Sequence, residues 1–427
     1  MTRSRTARRP AVVLAAALLV LGPAPRALAG PPAGSADPGV LLDWNAIAWR
    51  TIGVEGEKPP PVAMLYLGLV STAVDNAVVT AEGDGRPTLR QDRPDGPASS
   101  DVAAATAAHD VLSSFFPASA AALRADHDAL LAGVPDDEAR RNGVQVGQDA
   151  AAALLAARAD DGRDAPITLP RPAEPPAGMW VPTGNGEMTA PWLGFTEPLV
   201  VDSPTEFATD GPDPLDSAEY AADVAEVAAM GSATSTARSA EQTETALFFS
   251  DNPVRQYQDA MRERAVRHSM DIVDAARMFA VANAAGADAL ITCWRVKVDA
   301  PFWRPVTAIQ QADRDGNPAT TPDPAWASLR PAPPYPENPS GHGCVSSAVA
   351  QTLEELFGEG EVDMQIRSNV TNTTRTYDDE DAWLDDVVDA RIWLGIHFRD
   401  AMDDARQIGR GVAGAVVDCT SGSRARA

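Results

Sequence analysis

Two histidines and three basic side chains fall into three short stretches of the last third of the chain. In "PENPSGHG", residues 336–343, a proline-rich run gives way to the apolar run "CVSSAVAQTLEELFG". Ser340 is a good N-cap and Gly358 a good stop, so a helix should begin within 340–343. Its free backbone N–H groups and the positive end of the helix dipole suit an oxyanion. Gly341 would let that anion approach the backbone, and His342 could exchange a proton with it. Upstream, "WRVKVDAPFWRPVTAI" carries Lys297 and, seven residues on, Arg304, with Pro301 and Pro305 fixing the loop. Downstream, "DARIWLGIHFRD" carries Arg391 and, six residues on, His397. On a helix, positions six apart lie about 120° apart, close enough for the long Arg391 side chain to reach a point shared with His397. Taken singly, each stretch also fits a snorkelling cation, a satisfied core histidine or a plain Ser-Gly helix start.

The elements that must position these residues read as helices. "VLLDWNAIAW", "PVAMLYLGLVSTAVDNAVV", "DVAAATAAHDVLSSFFP" and "ASAAALRADHDALLAGV" have apolar residues three and four apart. Proline and glycine break the pattern at 55–61, 82–97 and 171–198, the last a long loop whose Trp180, Trp192 and Phe195 need a surface to pack on. From Ser217 helices resume through "SAEYAADVAEVAAMG", "NPVRQYQDAMRERAVRH" and "SMDIVDAARMFAVANAAGADALITCWRVKVD", and a proline-rich connection over 318–339 leads to Ser340. No fixed-period repeat is present and strand-like alternation is scarce. The expected class is all-α, as two adjoining helical bundles: 30–230, containing the long loop, and a catalytic bundle over 231–420.

The first 29 residues, with four arginines ahead of an apolar stretch from Ala11 to Leu21 and then Ala27-Leu28-Ala29, have the layout of a signal peptide cleaved near Ala29. The Arg8-Arg9 pair hints at twin-arginine export. Secretion and a soluble mature protein are therefore expected. No later window has about 18 uninterrupted apolar residues, since Asp274, Arg277 and Asp288 break the best candidate at 272–294. With 35 Lys+Arg against 60 Asp+Glu and a net charge of -25, nucleic acid and anionic membranes are disfavoured as partners. Helical bundles with unburied faces leave room for an oligomer, but no seam can be named. Cys293, Cys344 and Cys419 allow at most one internal disulfide, whose pairing the sequence does not give. They also suit small buried apolar positions.

Lys-x6-Arg-Pro (297–305), Pro-Ser-Gly-His (339–342) and Arg-x5-His (391–397), in that order, resemble the three-part signature of the vanadium-dependent haloperoxidases and the related type 2 phosphatidic acid phosphatase superfamily. "LLDWNAIAW", "AMLYLGLVSTAVDNAV", "GMWVPT", "DRDGNPATTPDPAW" and "GIHF" are similar to segments of soluble bacterial members. The resemblance extends over nearly the whole mature chain. It implies that Lys297, Arg304 and Arg391 surround the oxygens of a bound anion, with the Ser340 hydroxyl and Gly341 N–H adding hydrogen bonds. His397 would supply the apical nitrogen, coordinating vanadium when vanadate is bound or attacking a phosphate ester to form a phosphohistidine. His342 would be the acid-base residue.

The expected reaction is oxidation of halide by hydrogen peroxide at vanadate, with an organic acceptor downstream; phosphate could occupy the same pocket. A secreted acid phosphatase and a non-catalytic oxyanion-binding relic are the rival readings. The overall negative charge does not forbid anion binding. A unit pair about 4 Å apart is worth about 4 kcal/mol at an effective dielectric of about 20, whereas exposed charges beyond about 8 Å are screened.

The chain also departs from the family pattern. The family usually has Ser before the arginine of the third motif and an acidic residue four past its histidine, where this sequence has Ala390 and Ala401. Asp400 or Asp403 could orient the His397 ring instead. Asn338 replaces a common aromatic. Trp294 and Tyr335 fall where the family has aromatics near peroxide and halide, though both also suit a core. "DRDGN" (313–317) lacks the distal Glu of a calcium loop and reads as a turn. The acidic run "YDDEDAWLDDVVD" suits a solvated helix start. His109 and His127 have no acid-base constellation nearby.

Overall fold

Side-chain caps set most of the helix starts. Ser99, Asp137, Ser217, Ser239, Asn252, Asp271, Ser340 and Asp379 each accept a hydrogen bond from a backbone N–H of the turn they open, satisfying a donor that the helix leaves unpaired. The structure, a computed structural model, describes residues 36–421 apart from 86, 184 and 185; the expected signal peptide lies outside these residues. The helices of the first half are α1 (Gly39–Trp49), α2 (Pro60–Glu82), α3 (Ser100–Phe115), α4 (Ala120–Gly133) and α5 (Glu138–Ala157). Those of the second are α6 (Ala218–Met230), α7 (Ala240–Phe248), α8 (Pro253–Arg267), α9 (Ile272–Asp299), α10 (Pro305–Gln310), α11 (Gly341–Phe357), α12 (Glu380–Trp393) and α13 (Arg399–Ser421). The chain is mainly α-helical, as two adjoining bundles.

The 28-residue α9 is the spine of the molecule. It packs on α2 towards the first bundle and on α11 and α13 towards the second, so a single apolar cluster runs from Leu41 to Val416. Buried polar groups tie the layers in register. Asp288 of α9 accepts the backbone N–H groups of Leu199 (2.6 Å), Val200 (2.8 Å) and Val201 (3.0 Å), which fixes the end of the long loop. Earlier in that loop Trp180 is buried and Trp192 half-buried, whereas Phe195 stays exposed with the Arg295 guanidinium 4.8 Å over its ring.

Three features differ from the sequence-based expectation. Helix α5 is not announced by large apolar residues, because its buried stripe is Gly143, Val146, Gly147, Ala150, Ala151 and Leu154. The glycines let α5 lie against α3: a Cβ at Gly147 would come within 2.6 Å of the Ala103 carbonyl oxygen. A short antiparallel hairpin pairs β1 (Met364–Arg367) with β2 (Thr374–Tyr377). Finally, α2 rather than 272–294 is the one helix among the described residues long and apolar enough to cross a membrane. Its apolar window is 94% buried inside the protein, as in a core helix.

Candidate active site

The connection from Tyr335 to Ser340 is held from three sides. Lys297, on the last turns of α9, donates from Nζ to the carbonyl oxygens of Pro336 (2.7 Å), Glu337 (3.0 Å) and Pro339. An ammonium has three protons, and here loop carbonyls take all three. Arg304, the residue before α10, donates from Nε to the Tyr335 carbonyl (2.9 Å) and from Nη1 to the Ile396 carbonyl (2.8 Å). The Ser340 N–H donates to the Ala401 carbonyl (2.9 Å). This fixes the start of α11, where Ser340 Oγ accepts the Gly343 N–H at 3.2 Å. Gly341 has no room for a side chain, since a Cβ would lie 2.8 Å from the Trp294 ring.

A cleft of about 280 Å³ opens onto this helix start. It is lined by Gly341, His342, Arg391, Trp294 and Tyr335 together with Pro60, Pro61 and residues 250–254. Lys297, Arg304, Ser340 and His397 form the wall behind and are completely buried. All the candidate site residues are thus brought to one region. The Trp294 and Tyr335 rings lie 5.0 Å apart, and the Lys297 ammonium (5.1 Å) and Arg304 guanidinium (4.9 Å) both face Tyr335. Trp294 is anchored by its indole N–H on the Thr189 carbonyl (3.0 Å).

The orienting partner of His397 is neither aspartate considered from the sequence. Glu337 Oε1 lies 2.9 Å from His397 Nδ1 and also accepts the Phe398 N–H at 3.0 Å. Because Oε1 already acts as an acceptor, Nδ1 carries the ring proton and Nε2 keeps its lone pair. Arg304 Nη1, at 3.1 Å, points an N–H at that lone pair. Asp400 instead accepts from Asn338 Nδ2 (3.2 Å), as does Asp404 (3.0 Å). Asp403 is exposed. Glu337 lies 60 residues before His397, outside the positions just after the histidine where the family pattern has its acidic residue. The available signal was a lone carboxylate inside the proline-rich approach to Ser340, where a charge needs a buried partner.

Burial dominates the protonation states. It holds His397 well below the usual imidazole range, with Arg304, Arg391 and Lys297 adding repulsion. His342 is held low in the same way, by burial and then by Arg391. Both rings are therefore neutral near pH 7. Burial pushes Lys297 down to about 8 and Arg391 to about 10, so both remain cationic there. Burial pushes Glu337 upward against the pull of Arg304 and the Phe398 amide.

Several buried nitrogens have no partner. Arg304 Nη2, Arg391 Nε and His342 Nε2 are sealed from solvent without a hydrogen bond, while Arg391 donates only from Nη1, to the Phe249 carbonyl at 3.0 Å. Buried unpaired donors are costly. Two guanidinium donors, a helix start without a side chain at 341 and a nearby imidazole lone pair make a site suited to a small oxyanion. Elsewhere, "DRDGN" is a turn in which Asp315 accepts from the Asn317 N–H and the Thr320 hydroxyl. Among the described residues no group of three or more His, Cys, Asp or Glu side chains is arranged to hold a metal ion. His109 and His127 stack at 4.8 Å in the first bundle, away from the cleft.

Comparison with known proteins gives a consistent picture. Residues 277–424 match the model of the VCPO second helical-bundle domain. Over 201 residues, 39% of this chain, the sequence is 31% identical to the vanadium chloroperoxidase of Curvularia inaequalis; the matched stretch spans 32% of that protein. The fold is similar to the crystal structure of a bacterial vanadium-dependent iodoperoxidase, with a TM-score of 0.75 at 21% identity, covering 91% of this chain and 98% of the other. It is also similar to holo-type bacterial vanadium-dependent chloroperoxidase, with a TM-score of 0.66 at 19% identity over 89% and 92% of the two chains.

Proposed function

Given that the chain belongs to the superfamily of vanadium-dependent haloperoxidases and type 2 phosphatidic acid phosphatases, we propose that it is a haloperoxidase that oxidises halide with hydrogen peroxide. The cleft behind His342 and Arg391 would hold vanadate. The observation that carries this reading is the set of unpaired buried nitrogens, Arg304 Nη2, Arg391 Nε and His342 Nε2, beside an imidazole whose Nε2 lone pair is fixed by Glu337.

The residues fit such a group. Arg304 Nη2 and Arg391 Nε would donate to its oxygens, aided by the Ser340 hydroxyl proton and the α11 N-terminus, and His397 Nε2 would be the ligand to vanadium. Lys297 contributes its charge while its protons hold the loop in place. When bound, vanadate supplies Lewis acidity that makes a peroxide oxygen open to attack by halide. His342, neutral and unpaired at Nε2, would take the proton from hydrogen peroxide and later return it. Trp294 and Tyr335 line the same cleft and would shape the halide environment. Halide choice and the organic acceptor belong to the same proposal, as does secretion after removal of residues 1–29.

Purified protein with orthovanadate, peroxide and bromide should brominate a phenol-type dye. His397→Ala should abolish this and weaken vanadate binding; His342→Ala should keep the anion and lose turnover. Hydrolysis of an aryl phosphate, with vanadate acting only as an inhibitor, would replace the peroxidase reading with the phosphatase one. Absence of both activities would favour a binding protein.

A further inference from the structure

Of the five tyrosines, Tyr66, Tyr220, Tyr257 and Tyr377 are buried, each 7% exposed or less. Tyr335 alone is half-buried, and it lines the cleft. Among the described residues that line the cleft, none is methionine or cysteine, whose sulfur an oxidant ordinarily consumes first. The electron-rich carbon rings there belong to Trp294 and Tyr335. Trp294 is 1% exposed, with its ring packed against Gly341 and its indole N–H held by the Thr189 carbonyl. Tyr335 is the more open of the two. Its ring lies 5.0 Å from that of Trp294, with the Lys297 ammonium at 5.1 Å and the Arg304 guanidinium at 4.9 Å from its centre. Its carbonyl accepts from Arg304 Nε at 2.9 Å. These contacts keep the phenol at the cleft wall.

We propose that Tyr335 is a self-modification site: hypohalous acid formed in the cleft halogenates a ring carbon beside its hydroxyl, and the halotyrosine ends turnover. This rests on the peroxidase reading, which supplies the hypohalous acid. The halogen enlarges a side chain that shares a cleft of about 280 Å³ with His342 and Arg391, and so obstructs the access of peroxide and halide.

A phenol hydroxyl feeds electron density into its ring and activates the two carbons that flank it. An electron pair of the ring attacks the halogen of the hypohalous acid. A carbon–halogen bond forms, and the halogen–oxygen bond breaks with its electron pair on oxygen. The departing hydroxide takes the proton that the same carbon loses and leaves as water. One C–H bond and one hypohalous acid become one carbon–halogen bond and one water; the ring loses two electrons and the halogen gains them. The surroundings slow this step without preventing it. Cations facing the ring draw on its π density. Burial, opposed by Arg304 and Arg391, keeps the phenol protonated instead of the more reactive phenolate.

Full-length protein with orthovanadate and peroxide is run with bromide and no acceptor. Samples taken through the run are assayed for residual bromination of a phenol-type dye, digested and mass-mapped. Loss of activity should track one bromine replacing one hydrogen on the peptide that contains Tyr335. Tyr335→Phe, whose ring lacks the activating hydroxyl, should hold its own initial rate for more turnovers than the parent holds its rate. Activity lost while Tyr335 is unmodified, bromine on Trp294 in its place, or equal decay of the parent and Tyr335→Phe would overturn the proposal and leave the peroxidase reading standing. If no sample ever brominates the dye, the peroxidase reading fails and the self-modification fails with it. In a second arm hypobromous acid is added as a reagent to vanadate-free protein. Tyr335 should be the first of the five tyrosines to gain bromine; another tyrosine modified first would overturn the assignment whatever the turnover arm gives.

Discussion

The carboxylate of Glu337 decides which nitrogen His397 presents to the cleft. Its removal should therefore cost more than removal of either nearby aspartate. Glu337→Ala is expected to lower oxyanion affinity and turnover by about 10- to 100-fold, the usual effect of losing the group that orients a ligand histidine. Asp400→Asn and Asp403→Asn should stay within about twofold of the parent, because neither touches the ring. Orthovanadate titration and steady-state kinetics check both statements.

Lys297 gives the site a pH dependence. Its folded value near 8 lies below the ordinary 10.5, so the unfolded chain binds more protons between these values. The buried ammonium thus costs stability at neutral pH, and stability rises between about 8 and 10.5. Oxyanion affinity has the opposite sign, since the cation is lost above about 8. Phosphate should bind the parent progressively more weakly through that range, whereas Lys297→Met should bind weakly throughout and lose the Lys297 component, leaving the ionisations of phosphate and of Glu337, which burial pushes up to about 8. At this scale the motif residues were legible, because their types and order are chemical. Glu337 was not, because its partner is 60 positions away and no local spacing records that distance.

Among the elements, the start of α11 is the most sensitive. Ser340→Ala removes the cap on the Gly343 N–H and should lower stability by about 1 kcal/mol, seen as a fall in Tm, together with a loss of oxyanion affinity. Gly341→Ala should preserve helicity yet weaken phosphate binding. Its Cβ would press on a Trp294 ring that the Thr189 carbonyl holds in place. Circular dichroism combined with a binding titration separates the two effects. Helices such as α2 and α9 could be read directly, since large apolar residues recur at helical spacing. Helix α5 and the β1–β2 hairpin could not. The first buries glycine and alanine, and the second owes its place to contact with α8 rather than to any alternation of its own.

For the molecule as a whole, a net charge of -25 surrounds a pocket walled by buried cations. The two act on different steps. Surface charge slows the approach of an anion and is screened by salt within about 10 Å at 0.1 M, whereas the buried guanidinium groups are beyond the reach of counter-ions. Raising ionic strength from a low value should speed phosphate association and leave dissociation nearly unchanged, as stopped-flow displacement would show. The all-α class and its two adjoining bundles were visible in the sequence. The unbroken core was not, since it depends on α9 facing α2 on one side and α11 with α13 on the other.

Lys297 spends every proton of its ammonium on the backbone, and the only other lysine in the sequence is the half-buried Lys58. An amine-acylating reagent would then tag Lys58 early and reach Lys297 only when the 336–339 segment lets go. The chain thus carries a native reporter: the rate at which that last amine becomes acylated measures how often the catalytic wall opens.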